Sequence, residues 1–278
     1  MGLFKIEGVR MNIIFYTWSK PYKINLCRVM SDGAFKAGHN CRTLGVFKGV
    51  DETADAAVFI GCNRVVREAF DAYREAGKHT IYIDKGYLRY REQGLVENRE
   101  YYRVAVDSFQ PSNYVMALGH DSSRWDEIRI PICRWREQGE FILYADVSKK
   151  YHDWFGTNPL VSQVDLNMLH SSRSVMYRSR NDKVSIYEEL KKSWALVTRG
   201  SNAAVDALIY GVPVCVTGEH CVTLPLTWKN ELRNIDQISL PSDEDRYRFF
   251  CGLAWCQFTL NELETKFAWE KIMERIES

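Results

Sequence analysis

The stretch Leu196–Pro225, LVTRGSNAAVDALIYGVPVCVTGEHCVTLP, decides the fold. An apolar run breaks at Arg199-Gly200-Ser201-Asn202, restarts as a helix and gives way to the β-branched run Val212-Pro213-Val214-Cys215-Val216. Strand, loop, helix and strand in that order make a β-α-β unit with parallel strands. Ser201 or Asn202 can cap the helix, and the loop amides around Gly200 and the helix dipole point at one spot, where Arg199 adds positive charge. Such a spot suits a phosphate. Asp206 lies one helical turn after Asn202, on the face nearest the loop, where its carboxylate can accept from ribose or sugar hydroxyls. The plainer reading is an ordinary capped helix with Asp206 a solvated first-turn acid. Either way, a ligand is expected at the carboxyl ends of the strands.

Outward from this unit the same alternation recurs. In the first half, Asn12 to Thr17, Cys41 to Val46, Ala56 to Ile60 and His79 to Ile83 read as strands, with helices at Ile24 to Ala37 and Arg64 to Ala76 closed by Gly38 and Gly77. Residues 108–138 are less regular, punctuated by Pro111, Gly119 and Pro131, and Phe141-Ile142-Leu143-Tyr144 opens a new strand. The second half continues with a helix at Leu160 to His170, a strand at Val175 to Arg178 and a helix at Ser185 to Lys192. The pattern predicts an α/β protein of two Rossmann-like domains, 1–138 and 139–278, with parallel sheets facing a central cleft. Phe249 to Gln257 and Leu260 to Ile276 read as amphipathic helices rich in Trp255, Phe258, Phe267 and Trp269, most of which are expected to pack inward.

The 278 residues are 46% hydrophobic, ample for such cores. Lys and Arg number 37 against 36 Asp and Glu, a net charge of +1, so contact with nucleic acid would need a local patch. The eight cysteines form no C-x-x-C pair and read as reduced thiols. With no spanning apolar run and no signal-peptide core, a soluble, cytoplasmic protein is expected.

Asp84 ends the fourth strand, before Lys85-Gly86-Tyr87, and there a carboxylate can act as a general base toward a hydroxyl or simply bond its own turn. Trp18-Ser19-Lys20 and Gly61-Cys62-Asn63 end the first and third strands on the same wall. Arg178 and Arg180 end a strand of the second half and can clamp a diphosphate or lie solvated. Lys149 or Lys150 can neutralise donor phosphate or merely start a helix. Tyr87 to Arg103, with Arg89, Arg91 and Arg103, is a basic aromatic stretch suited to a DNA backbone or to a solvated loop. Asp243 and Asp245 form a D-x-D pair, read as a helix cap because it follows Pro241 and precedes a helix. The six histidines have no metal-ligand spacing, so no metal site is expected. A Walker loop and a full G-x-G-x-x-G are absent from the sequence.

Four segments carry a resemblance: IDKGYLR (Ile83 to Arg89), YADVSKKYHDWFG (Tyr144 to Gly156), VTRGSNAAVDALIYGVPV (Val197 to Val214) and LAWCQFTLNELETKFAWEKI (Leu253 to Ile272). Together the chain resembles GT-B glycosyltransferases of the capsule-polysaccharide transferase-like group, and the last segment resembles phage-encoded members. Asp206 stands where the family more often has glutamate, and Lys85 interrupts the family's D-G pair.

The resemblance implies a metal-independent sugar transferase without a resident cofactor, its nucleotide-sugar donor held by Arg178, Arg180, Arg199, Gly200, Ser201, Asn202, Asp206 and Lys149. Asp84 is then the catalytic residue, assisting deprotonation of the acceptor hydroxyl or stabilising charge. Trp18, Lys20, Lys85, Arg89, Arg91 and Arg103 face the acceptor. From the phage-like tail, the favoured acceptor is hydroxymethylcytosine in phage DNA, reached by base flipping in the host cytoplasm. A capsule or lipopolysaccharide saccharide is the alternative acceptor. The alternative of another class is a non-catalytic nucleotide- or nucleic-acid-binding protein. No protein partner is evident from the sequence.

Overall fold

Parallel pairing dominates the architecture. The computed structural model describes residues 10–17, 20–88, 100–179, 182–229 and 232–277. The chain divides into two compact units, one made of residues 1–84, 104–108 and 258–278, the other of residues 85–103 and 109–257. Positions 138 and 139 both lie inside the second unit.

The chain begins with β1 (Asn12–Tyr16), α1 (Pro21–Lys36), β2 (Asn40–Leu44), β3 (Ala56–Ile60), α2 (Arg64–Glu75) and β4 (His79–Lys85). β1 pairs in parallel with β2 and β3, and β3 with β4. α1 starts three residues earlier than its apolar pattern suggests, because Pro21 takes the first helical turn, where a missing N–H costs nothing. Asn63 caps α2 by accepting from the Val66 amide at 3.0 Å.

β5 (Tyr101–Val106) is a strand where the sequence pattern showed only a basic aromatic stretch. The Gly86 amide bonds to the Tyr101 carbonyl and the Asp107 amide to that of Thr80, so numbering falls along one strand as it rises along the other. β4 and β5 therefore run antiparallel.

The second unit adds α3 (Ser123–Ile128), β6 (Phe141–Ala145), α4 (Lys149–Phe155), α5 (Val161–Met168), β7 (Ser174–Arg178), α6 (Ile186–Leu190), β8 (Ser193–Thr198), α7 (Ala203–Ile209), β9 (Val214–Val216), β10 (Trp228–Lys229) and α8 (Asp243–Trp255). Its sheet runs β10–β9–β8–β6–β7, parallel at every pairing. Alternate residues feed two cores. Phe141, Leu143, Leu196, Val214 and Val216 join the cluster with α7 and α8, while Ile142, Tyr144, Ala195, Val197 and Cys215 pack with Leu169, Leu232 and Ile235. Both faces are thus covered, which is why these strands read as unbroken apolar runs.

Ser242 caps α8, accepting from the Asp245 amide at 3.0 Å, with Asp243, Glu244 and Asp245 in the first turn. The D-x-D pair is a helix start. The chain continues through β11 (Gln257–Thr259), α9 (Leu260–Leu263) and α10 (Lys266–Ile276). The single helix expected over Leu260 to Ile276 is broken at Glu264-Thr265, after a capping box in which Thr259 and Glu262 satisfy each other's amides. The first unit's sheet has the order β11–β5–β4–β3–β1–β2. Trp269 of α10 is fully buried, edge-on to Phe15 at 5.9 Å and against Gly33 of α1, where a β-carbon would lie 2.8 Å from its ring. Of the tail's aromatics, Phe258 and Trp269 are core, Trp255 is partly buried and Phe267 is 40% exposed.

Candidate functional site

Because β6, β7, β8 and β9 are parallel, their carboxyl ends open on one edge of the second unit, and polar side chains collect there. At the centre is Asp165 of α5, only 6% exposed. Its two oxygens receive Nη1 of Arg199 at 2.9 and 2.8 Å, the Thr217 hydroxyl at 2.7 Å and the Tyr144 hydroxyl at 2.9 Å. A buried carboxylate is tolerated when it is paired and its lone pairs are filled, and here both conditions hold. Beside it, Asp146, just beyond β6, accepts from Ser162 at 2.7 Å and from Tyr177 at 2.6 Å. The bond to Asp146, together with burial, pushes the Tyr177 phenol up to about 12. Burial drives the Tyr144 phenol higher still.

Asp165 and Asp146 were not anticipated from sequence. One signal was available: Ser162 and Asp165 occupy the buried stripe of α5 that continues to Leu169, where apolar residues are the rule.

The Arg199-Gly200-Ser201-Asn202 loop is held closely. The amides of Gly200 and Ser201 donate to the Thr198 hydroxyl at 3.3 and 3.0 Å, and the Ala203 amide to the Ser201 hydroxyl at 3.3 Å. An anion at these amides would replace bonds the chain already makes to itself. Asn202 is the N-cap residue of α7 but its side chain makes no cap bond; its Nδ2 donates instead to the Tyr87 carbonyl at 2.9 Å. Asp206 is 7% exposed, on a helix whose neighbouring residues are buried, rather than a solvated first-turn acid. Gly200 and Gly218 are there for space. A β-carbon on Gly200 would meet the Tyr151 ring at 2.8 Å, and one on Gly218 would lie 2.1 Å from the Arg199 carbonyl. The Tyr151 hydroxyl donates to that same carbonyl at 3.1 Å, and Phe155 of α4 stacks on exposed His220 with centroids 3.9 Å apart.

The remaining donor-side candidates are engaged elsewhere. Arg178 pairs with Glu189 and donates to the Val184 carbonyl at 2.7 Å. Lys149 is exposed and pairs with Asp153 one turn on, at 3.0 Å. Arg180 lies outside the described residues, as do Trp18, Arg89 and Arg91.

In the first unit, Asp84 sits half-buried at the carboxyl end of β4, accepting from Tyr82 at 3.4 Å. Burial and the charge of Asp84 raise the Tyr22 phenol. Lys20 is exposed at the start of α1, and Lys23, which sequence reasoning passed over, is buried with Nζ on the Ile60 carbonyl at 2.8 Å.

Lys85 and Arg103 belong to the second unit. Lys85 lies 3.9 Å from Glu100. Arg103 donates to Gln110 at 3.1 Å with its guanidinium over the rings of Tyr87 and Phe109, at 5.4 and 5.0 Å. Tyr87 is itself buried, bonded to Gln110 at 2.5 Å. Arg103 is therefore part of an internal cation–π stack rather than a surface arginine awaiting phosphate. Among the described residues, no three His, Cys, Asp or Glu cluster in a way that could hold a metal ion, and no helix is long and apolar enough to cross a membrane.

No protein-family model matches the chain, and no curated protein does. Among solved structures, it is similar to the Thermosulfurimonas dismutans KpsC beta Kdo 2,4 transferase, at 12% identity over 88% of this chain and 90% of that one, with a TM-score of 0.48. The KpsC beta Kdo 2,7 transferase from the same organism gives 11% identity, coverage of 92% and 99%, and a TM-score of 0.48. The S. aureus MnaA–UDP structure gives 12% identity, coverage of 96% of both chains and a TM-score of 0.31. These are loose similarities.

Proposed function

We propose that the chain is a glycosyltransferase that moves a sugar from a nucleotide-sugar donor to a hydroxyl acceptor. One observation carries this reading: the β8–loop–α7–β9 element, whose sequence resembles the donor element of GT-B transferases, ends on an edge where Arg199 is fixed by Asp165. The pairing occupies Nη1 only, and a guanidinium has five N–H donors, so Arg199 retains capacity for a diphosphate oxygen. In the proposed step the acceptor oxygen bonds to the anomeric carbon as the bond from that carbon to the diphosphate breaks. Asp84 takes the hydroxyl proton, and the diphosphate leaves with the electron pair beside Arg199.

For the acceptor, a saccharide is the better supported choice. Of the residues expected to meet DNA, Arg103 of the basic stretch is stacked between Tyr87 and Phe109, and Lys85, just before that stretch, lies near Glu100. Hydroxymethylcytosine in DNA is the competing acceptor.

The test is incubation of the purified protein with nucleotide sugars, each with a saccharide panel and with hydroxymethylcytosine DNA, followed by mass spectrometry of products. Donor-dependent mass on a saccharide is expected. Mass on the nucleoside alone would move the acceptor to DNA. Neither transfer nor donor hydrolysis with any nucleotide sugar would overturn the reading and favour a non-catalytic binding protein.

A further inference from the structure

The loop following β2 borders an open pocket of about 530 Å³ at the carboxyl end of β1 and β2, entirely within the first unit. Leu44, Val46 and Val50 give it an apolar wall, and Lys48 stands exposed at its lining.

The loop is pinned rather than loose. Phe47 packs on Tyr16 and Tyr73, with centroids 5.8 and 6.4 Å away. The Tyr73 hydroxyl lies 3.0 Å from that of Tyr16 and accepts from the Asp51 amide at 3.1 Å, closing the loop's far end. Gly49, with φ of +131°, supplies a bend that residues with a β-carbon rarely adopt.

The electrostatic balance of the cavity favours an anion. Asp51 is in the lining, but Oδ1 accepts from the Thr53 amide at 2.9 Å and from its hydroxyl at 2.6 Å, and Oδ2 accepts from Arg42 at 2.7 Å. Its charge is matched by Arg42. Lys48 has no acidic partner among the described residues, which leaves one unmatched cation at the cavity. Among the described residues, the amides from Gly45 to Val50 donate to no protein acceptor, so the loop offers N–H groups beside that cation.

We propose that this cavity is a binding site for a small amphiphilic oxyanion, a carboxylate or phosphate monoester, whose charge meets Lys48 and the loop amides while its uncharged body lies on Leu44, Val46 and Val50. The site does not depend on the transferase reading, and its occupancy is measured with no donor or acceptor present.

The experiment is an amide-resolved NMR titration of the full chain with benzoate, phenyl phosphate and the neutral isostere benzamide. Saturable shifts of the residue 45–50 amides are expected with benzoate or phenyl phosphate, and benzamide should bind at least about tenfold more weakly, the scale of one charge-assisted hydrogen bond. The tighter of the two anions identifies the preferred head group. Lys48→Ala should weaken anion binding about tenfold and Lys48→Arg should retain it. Lys48 is exposed, so neither variant disturbs a packed core. Absence of saturable shifts with both anions, equal binding of benzamide and benzoate, or an unchanged affinity in Lys48→Ala overturns the proposal.

Discussion

The carboxyl edge of the second unit's sheet is built around a buried, fully bonded carboxylate, whereas that of the first unit's sheet carries half-buried Asp84 and an open pocket. On the former, Asp165 alone gathers Arg199, Thr217 and Tyr144. On the latter, half-buried Asp84 accepts from Tyr82 at 3.4 Å, and the loop after β2 leaves a pocket open. The difference separates two ways of building a strand-end site. Buried charges must be paired to exist at all, so the second edge holds its geometry before any ligand arrives. At the first edge, Asp84 is only half-buried and the pocket beside β2 is open to water.

Catalysis and stability should therefore respond oppositely at the two edges. Asp84→Asn should lower transfer by about 100- to 10,000-fold, the usual worth of a general base, while the isosteric amide still offers Tyr82 an acceptor and keeps the fold. Turnover near wild type in a product assay would reduce Asp84 to a turn residue. Asp165→Ala, at the other edge, should cost about 3–5 kcal/mol in urea denaturation, since it leaves the partly buried Arg199 guanidinium and the Tyr144 and Thr217 hydroxyls without their carboxylate. A loss below about 1 kcal/mol would mean that this edge relaxes freely, and the comparison would fail.

Smaller effects sharpen the same contrast. Gly218→Ala should cost about 1–3 kcal/mol through the clash with the Arg199 carbonyl, but Gly45→Ala, where an added β-carbon meets nothing within 4 Å, should be nearly silent. Thermal melts of the two variants, run side by side, check the difference. Asn202→Ala should lose about 1 kcal/mol, one net hydrogen bond to the Tyr87 carbonyl. If its nucleotide-sugar affinity by calorimetry falls tenfold while stability is unchanged, Asn202 touches the donor instead.

The smallest effect is one of pH. Burial opposes ionisation of Asp236, but bonds from the Ser172 amide, the Ser171 hydroxyl and Arg173 outweigh it and hold the carboxyl at about 2. A folded-state value below that of the unfolded chain gives stability that is complete above about pH 4 and lost as the pH falls toward 2. Asp236→Asn should therefore differ from wild type at neutral pH and converge with it near pH 2, read from denaturation midpoints along an acid series.

Much of the fold was legible because it is written locally. The runs at Ala56 to Ile60 and Phe141 to Ala145, the Asn63 and Ser242 caps and the helix closings at Gly38 and Gly77 need only near neighbours to be recognised. The polar network was not local: Asp165 meets Tyr144, Arg199 and Thr217 across separations of 21, 34 and 52 residues, and no short motif joins them. The same holds for β5, whose pairing with β4 brings Tyr101 to Gly86 and Asp107 to Thr80. Arg103 likewise reads as a surface cation until Phe109 and Tyr87 are seen on either side of it.

Trp269 has a consequence for how the molecule comes into being. Domains made early on a ribosome ordinarily fold before the rest of the chain emerges. Here the first unit counts residues 258–278 among its own, and the surface of α1 at Gly33 is complete only when Leu263 and Trp269 reach it. The segment synthesised first must therefore wait for one synthesised after the whole second unit. During that interval Phe15 and Gly33 form an unfilled apolar seat, so the order of maturation runs against the order of translation.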